Sequence, residues 1–353
     1  MFLECYKGKT VFITGHTGFK GSWLSLWLTS MGANVIGYSL PSVTHPNHFE
    51  LIRLDMETYL KDIRDLDALK QAIETTQPDI VFHLAAQPLV RYSYNNPIET
   101  FETNIMGTAN LLEACRGIST IKGVVVITTD KCYENKEWLY GYRENDQLGG
   151  YDPYSASKAG AEIVVASYRS SFFNPQNFNQ THQTLIATAR SGNVIGGGDW
   201  SEDRLIPDMV RAATTDQTVY LRNPNATRPW QHVLEPLGGY LLLGQKLMEG
   251  KSEFAEPWNF GPTIDSNKKV SEVLEASKKI WNKVNFEIDD SENHPHEAGL
   301  LMLDCSKAYH KLGWKPKWDF QSSVAKTIEW YKLFYESGEI LTHHHLREYC
   351  EEI

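Results

Sequence analysis

Short apolar runs and helix-period stretches alternate through the first half of the chain. "TVFITG" is an apolar run ending in Gly, and "FKGSWLSLWLTSMG" has helical spacing closed by a Gly. "NVIGYS" predicts a second strand, "DLDALKQAIETTQ" an amphipathic helix and "DIVFHLAA" a third strand. "NIMGTANLLEACRG" predicts a helix, "IKGVVVITTD" a strand, and "YSASKAGAEIVVASYRSSF" a helix with an apolar stripe. "TLIATARSGNVIGG" is another strand and loop. Such alternation predicts a parallel sheet with helices on both faces. After about residue 190 the pattern becomes irregular, with Gly, Pro, Asn and Trp frequent through "GGGDWSEDRLIPDMV", "RNPNATRPWQHV" and "EPWNFGPT". Helices are predicted again over Val270 to Val284 and Ser322 to Tyr335. The division is therefore a sheet domain over 1–190 and a smaller, loop-rich region over 191–353 that covers the sheet's carboxyl edge, with a soft, interleaved boundary.

The bulk numbers remove several classes. The chain has 353 residues, 41% hydrophobic and 22% charged, an ordinary globular balance. Its formal charge of −10, with basic residues scattered, argues against a nucleic-acid surface. Five widely spaced cysteines form no C-x-x-C pair, which predicts reduced thiols in a cytoplasm rather than a disulfide frame. No apolar run approaches the roughly 20 residues that span a bilayer, and "MFLECYKGKT" has no signal-peptide core. No metal site is expected. His343, His344 and His345 cannot converge on one ion from a single helix and are expected on a solvated helix face. "HPHE", His294 to Glu297, is expected to be a substrate loop. Trp23 and Trp27, four apart, are expected to pack in the core.

Three stretches carry candidate chemistry. "TGHTGFKG" sets Gly15, Gly18 and Gly21 between the first strand and first helix, where backbone N–H groups can approach a pyrophosphate at the helix N-terminus. The second strand ends in Ser39 and Leu40, without the acid that binds NAD ribose hydroxyls and without an Arg for a 2′-phosphate, so the local residues leave NAD and NADP open. "PYSASKA" places Tyr154 and Lys158 on one helix face, and a nearby ammonium lowers a phenol pKa towards working pH. "VVVITTDKCYEN" brings Thr129, Asp130 and Lys131 to the tip of a core strand, where α/β proteins place their sites.

Taken with "KDIRD", "HLAAQ", "RSGNVIG", "RLIP" and "LDCSKAYHKLGWKP", in that order along nearly the whole chain, these motifs resemble the extended short-chain dehydrogenase/reductase family, and within it the nucleotide-sugar dehydratases. The resemblance implies a Rossmann-type doubly wound sheet and internal redox chemistry on a nucleotide-hexose with NAD. Tyr154 would take the C4 hydroxyl proton, with Lys158 tuning it and Thr129 holding the C4 oxygen. Asp130 would protonate the leaving C6 hydroxyl. Relatives carry Glu where this chain has Lys131. Either a neutral Lys131 removes the C5 proton, or it stabilises the enolate while another base does so. The resemblance further assigns Gly15, His16, Thr17, Gly18, Phe19, Lys20 and Gly21, Asp62 and Ile63, Leu84, Ala85 and Ala86, Asn104, Tyr154 and Lys158 to the cofactor. Lys20, in a place normally apolar, would add to the pyrophosphate contact. Gln87, Asn193, Arg204, Leu205, Arg228 and His296 are assigned to the substrate. It also implies a homodimer paired through the helices at Pro97 to Cys115 and Tyr154 to Phe172, with a tetramer as the alternative. An epimerase or ketoreductase would need Tyr154 and Lys158 but not Asp130 and Lys131. An NAD(P)-sensing regulator would need neither pair.

Overall fold

The computed structural model describes residues 4–221, 223–288 and 300–352. In chain order the elements are β1 (Thr10–Thr14), α1 (Phe19–Ser30), β2 (Asn34–Ser39), α2 (His48–Ile52), β3 (Glu57–Leu60), α3 (Leu66–Thr76), β4 (Ile80–His83), α4 (Val90–Asn95), α5 (Pro97–Phe101), α6 (Gly107–Cys115), β5 (Gly123–Ile127), α7 (Pro153–Ser171) and β6 (Leu185–Arg190). Then come β7 (Val194–Ile195), α8 (Leu205–Thr214), β8 (Thr218–Leu221), β9 (Thr227–Pro229), β10 (Gln231–His232), α9 (Leu234–Met248), β11 (Pro257–Asn259), β12 (Asn267–Lys269), α10 (Val270–Ile280), β13 (Asn285–Ile288), α11 (Phe320–Ser337) and α12 (Thr342–Glu351).

Seven strands form one parallel sheet in the order β3-β2-β1-β4-β5-β6-β11. The order reverses between β1 and β4, so a crevice opens at their carboxyl ends. Alternate side chains enter opposite layers. Val11 and Ile13 join the core under α1 and α9, while Phe12 joins the core under α3, α6 and α7. A second core, with Trp200, Trp230, Trp281 and Trp330, gathers α8, α10 and α11. The chain beyond residue 190 thus supplies α9 and β11 to the main layers as well as its own core.

Most predicted elements form, with instructive differences. The helix predicted across "NIMGTANLLEACRG" is interrupted by a π-turn at Glu102–Met106 between α5 and α6. α9 was hidden because "LEPLGGYLLLGQKLM" is nearly continuously apolar and carries Gly238 and Gly239, which read as a loop. Its Leu234, Leu237, Leu241 and Leu243 are fully buried. α10 stops at Ile280 rather than Val284, because Trp281 and Val284 turn into the second core. Trp23 and Trp27 lie in the core as expected, and the Trp23 indole donates to Gly197 O at 2.9 Å. The solvated reading of the histidine run fails at His345, which is fully buried beside Trp318 because α12 turns its His345–Leu346–Tyr349 face inward. Among the described residues no group of His, Cys, Asp or Glu could hold a metal ion, and no helix is long and apolar enough to cross a membrane. "HPHE" and His296 lie outside the described residues.

Candidate active site

The glycine loop is built by close backbone packing. Gly15 has φ +78°, and a Cβ there would stand 2.6 Å from Ala85 N; one on Gly21 would stand 2.0 Å from Gly15 O. Gly18 is the N-cap of α1, with no side-chain cap and no acid in the first turn. Other helices of this chain are capped by Asp65 and Asp152. The N–H groups that open α1, at Phe19, Lys20 and Gly21, are therefore free for an anion, which fits the pyrophosphate of a dinucleotide. His16 is buried against the bare face of Gly37, with both ring nitrogens unpartnered, and burial pushes its pKa down to about 4. Thr17 Oγ1 is 2.9 Å from both Ser39 Oγ and Leu40 O, so hydroxyls stand where an acid is usual. Asp62 spends its carboxylate on Arg64, whose hydrogen bonds hold it below the usual range. Ile63 packs under Gly107, and Leu84, Ala85 and Ala86 follow β4 along the crevice, with Ala85 N donating to Thr14 Oγ1 at 3.2 Å.

β5 is buried along its whole length and delivers the polar tip to the same crevice. Thr129 Oγ1 accepts from Lys131 N at 3.3 Å and donates to Asp130 Oδ1 at 3.0 Å. Asp130 is 1% exposed, and its Oδ2 has no partner. α7 is capped by Asp152, which accepts from Ser155 N at 2.9 Å, and Tyr154 N donates to Ser93 Oγ at 3.2 Å. These contacts aim the first turn of α7 at the tip. Burial pushes the Tyr154 phenol up to about 12, while its hydrogen bond with Thr129 and the charge of Arg204 pull it down. Lys158 Nζ donates to Ile127 O at 3.3 Å, and burial brings its pKa down to about 8. Arg204 thus adds a cation beside the phenol that the local sequence did not point to.

Lys20 leaves the glycine loop and reaches the far wall. Its ammonium donates to Ser191 Oγ at 2.9 Å and Tyr240 OH at 3.5 Å, beside Arg204, Asp130 and Lys158. Burial first, then Arg204, lowers its pKa to about 7. Asn104, in the π-turn, is a structural clamp: it accepts from Gln87 N at 2.8 Å and donates to Gln87 O at 3.0 Å and Ser157 Oγ at 2.8 Å. Gln87 itself is turned onto Leu89 and Thr100. Arg204 caps the front of α8, just before Leu205, and pairs with Asp199 at 2.8 Å. Asn193 takes a left-handed φ of +47° after β6, and Arg228 lies on β9.

Sequence reasoning missed Ser191 and Tyr240, which carry no local signal, and a buried pair, Glu162 and Arg190. That pair did leave a trace: one carboxylate inside "AGAEIVVAS" and one guanidinium closing the apolar run "TLIATAR".

Residues 12–327 match the profile of a family described as GDP-mannose 4,6 dehydratase. The chain belongs to this family. It is 52% identical over 338 residues to a CDP-glucose 4,6-dehydratase of Salmonella typhimurium, covering 95% of this chain and 94% of that protein. It is 27% identical to a trifunctional UDP-glucose 4,6-dehydratase/UDP-4-keto-6-deoxy-D-glucose 3,5-epimerase/UDP-4-keto-L-rhamnose-reductase of Arabidopsis thaliana, over 93% of this chain and 48% of that protein, so it spans about half of that relative. The structure of a dTDP-glucose 4,6-dehydratase from Bacillus anthracis, in complex with NAD, superposes with a TM-score of 0.75 over 92% of this chain and 97% of that one, at 21% identity. As a member of the dehydratase family, the chain has the Rossmann-type sheet its motifs predicted.

Proposed function

We propose that this protein is an NAD-dependent hydro-lyase that converts CDP-D-glucose to CDP-4-keto-6-deoxy-D-glucose and water, with internal transfer of hydride from C4 to C6. The observation that carries the reading is the 52% identity, across nearly the full length of both chains, to a CDP-glucose 4,6-dehydratase. The Thr129–Asp130–Lys131 tip beside Tyr154 is consistent with it, since elimination needs an acid and a base beyond the redox pair.

Bound NAD would supply the hydride acceptor and donor, held by the N–H groups opening α1 with the ribose on the Thr17 and Ser39 hydroxyls. Tyr154 removes the C4 hydroxyl proton. Burial opposes its ionisation and the charge of Arg204 favours it; in this reading the ammonium of Lys158, one turn along α7, adds to the cationic field that the phenolate requires. Thr129 orients the C4 oxygen. The C4 ketone acidifies the C5 hydrogen, and Asp130, with one oxygen unpartnered, protonates the C6 hydroxyl as it leaves. Lys131 either takes the C5 proton while neutral or stabilises the enolate. Arg204 and Arg228 suit the nucleotide diphosphate, because a guanidinium fork pairs with phosphate oxygens; Asn193 and Leu205 flank them.

The working unit of this reading is a cytoplasmic homodimer, or a tetramer made of two such dimers, serving deoxysugar biosynthesis of the O-antigen and lipopolysaccharide type. Ile98 on α5, Met106 in the π-turn and Ile163 on α7 are 68%, 54% and 60% exposed, an apolar face suited to a second copy. The test is incubation with a panel of nucleotide-hexoses and NAD, read by mass spectrometry. Loss of one water from CDP-glucose supports the proposal. Interconversion at C4 without loss of water would replace it with an epimerase.

A further inference from the structure

Beneath the reactive tip lies an ionic pair that the reaction scheme does not use. Glu162 and Arg190 are 3% and 1% exposed, and Arg190 Nη2 donates to Glu162 Oε2 at 2.8 Å. Thr128 Oγ1 donates to Glu162 Oε1 at 2.5 Å, and Thr188 Oγ1 donates to Glu162 Oε2 at 2.8 Å. The carboxylate is thus fully engaged, with Arg190 and its other donors holding it ionised despite burial. Arg190 Nη1 also donates to Tyr133 OH at 2.7 Å and Glu144 O at 3.1 Å. Replacing such a pair by apolar side chains is often neutral or stabilising, so stability alone is a weak reason for it.

Its position suggests another. Tyr154, Lys158 and Glu162 follow one another at helical steps of four and share one face of α7. Thr128 immediately precedes Thr129, Asp130 and Lys131. We propose that Glu162, braced by Arg190, is a positioning residue of the reaction: it anchors the Thr128 end of the acid-bearing tip and supplies the counter-charge for the buried ammonium group of Lys158. The inference rests on the proposed roles of Tyr154 and Lys158.

The groups around Lys158 support this. Desolvation disfavours its charge, while Glu162 and Cys132 favour it, Glu162 the more strongly. His83 on β4 and Lys20 on α1 also face Lys158, both are held down in pKa by burial, and neither can offer it a negative charge. Tyr154, one turn earlier, is a neutral phenol before it acts. Glu162 is therefore the anion that keeps Lys158 protonated at working pH. Without it Lys158 loses its proton at lower pH, and Tyr154 loses a cation that its ionised form needs.

The experiment titrates Lys158 by NMR in protein labelled at lysine Cε, assigned with Lys158→Arg, alongside the pH profile of turnover. In Glu162→Gln the Lys158 midpoint should fall by about one unit or more. The alkaline limb of kcat should move down with it, KM changing less. Glu162→Asp, which keeps the charge, should restore both. A purely structural role would lower the melting temperature and leave the midpoint in place, and an unmoved midpoint overturns the proposal. If Glu162→Gln fails to fold, Glu162→Gln/Arg190→Met is compared with Arg190→Met, so that only the carboxylate charge differs between the two: the Lys158 midpoint should again be lower in the double variant by about one unit or more, and equal midpoints overturn the proposal. The NMR titration needs no turnover. A parent protein that never dehydrates CDP-glucose would therefore defeat the proposed function, while an unmoved midpoint in an active parent would defeat only this inference.

Discussion

Asp130 and Gly192 meet where Gly192 has no side chain: a Cβ added there would stand 1.8 Å from Asp130 Oδ2 and 2.0 Å from its Cγ. The obstacle is the carboxylate itself, buried and fixed by Thr129, so it cannot swing into solvent. Gly192→Ala should therefore displace the acid. Turnover should fall towards the loss seen when a general acid is removed, about 10²–10⁴-fold, while circular dichroism still reports a folded protein. Parent-like turnover in a folded Gly192→Ala variant would show that the carboxylate does not act from this position.

Redox and elimination should separate by mutation. Tyr154→Phe removes the base of the first step, so C4 oxidation and dehydration should collapse together. Asp130→Asn keeps the shape but removes the proton that the leaving hydroxyl needs. That variant should accumulate a 4-keto-hexose still carrying its C6 oxygen, which borodeuteride trapping and mass spectrometry would detect. Dehydration by Asp130→Asn at the parent rate, with no such build-up, would remove the tip from the elimination step.

The two roles left open for Lys131 differ in one observable. If Lys131 removes the C5 proton, Lys131→Ala should slow exchange of the C5 hydrogen with deuterated solvent by about 10²-fold or more. If it only stabilises the enolate, Lys131→Arg, which keeps a cation that cannot act as a base, should retain much of that exchange. Rapid exchange in Lys131→Ala would end both roles.

The order β1-α1-β2 and the tip of β5 were legible because strand and helix periods are local and each layer is amphipathic or wholly apolar. Gly15 and Gly21 were legible because backbone packing at a crossing tolerates no other residue. The course of Lys20 was not. Its neighbours in sequence form a phosphate loop, but its partners Ser191 and Tyr240 lie 171 and 220 positions away, and only tertiary packing brings them together. Asn104 and Gln87, which the resemblance assigns to the cofactor and the substrate, spend both side chains on loop geometry. Tyr154 and Lys158 were recognised by spacing. That burial would push the phenol up, and that Arg204 from beyond β7 would oppose it, depends on distances no local pattern encodes.

Buried neutral histidines should make the fold acid-sensitive. Burial holds His16 and His345 at about 4 and His48 and His83 at about 3, and His232 lies well below 6.5. Below about pH 6.5 the unfolded chain binds protons at these sites while the folded chain does not, so stability falls as pH drops. Glu235, raised by burial to about 7, acts the other way: the folded state keeps its proton between about pH 4.3 and 7, so its contribution falls as pH rises through that window. Five histidines outweigh one carboxyl. Urea denaturation should show stability declining from pH 6.5 to 5, approaching about 1.4 kcal/mol per pH unit for each net proton. Stability that is flat or rising over that interval would contradict the burial of these rings.

The exposed apolar face offers the last test, because it links assembly to the site. Ile163 lies on α7 between Lys158 and the end of that helix, and Gly160, one turn before it, allows α7 to lie close to the π-turn: a Cβ there would stand 2.6 Å from Ile105 Cδ1. Met106 sits in the same π-turn as Asn104, which clamps Gln87 and Ser157. A second copy covering Ile98, Met106 and Ile163 would brace both segments from outside. Ile163→Glu/Met106→Glu should place like charges across the two-fold contact and yield monomers by sedimentation at micromolar concentration. Because the bracing would be lost with the contact, turnover per chain should fall about tenfold or more, an effect of about 1.4 kcal/mol on the barrier. A parent protein that sediments as a monomer would remove this face as an interface. Dimers that persist in the double variant would place the contact elsewhere on the surface.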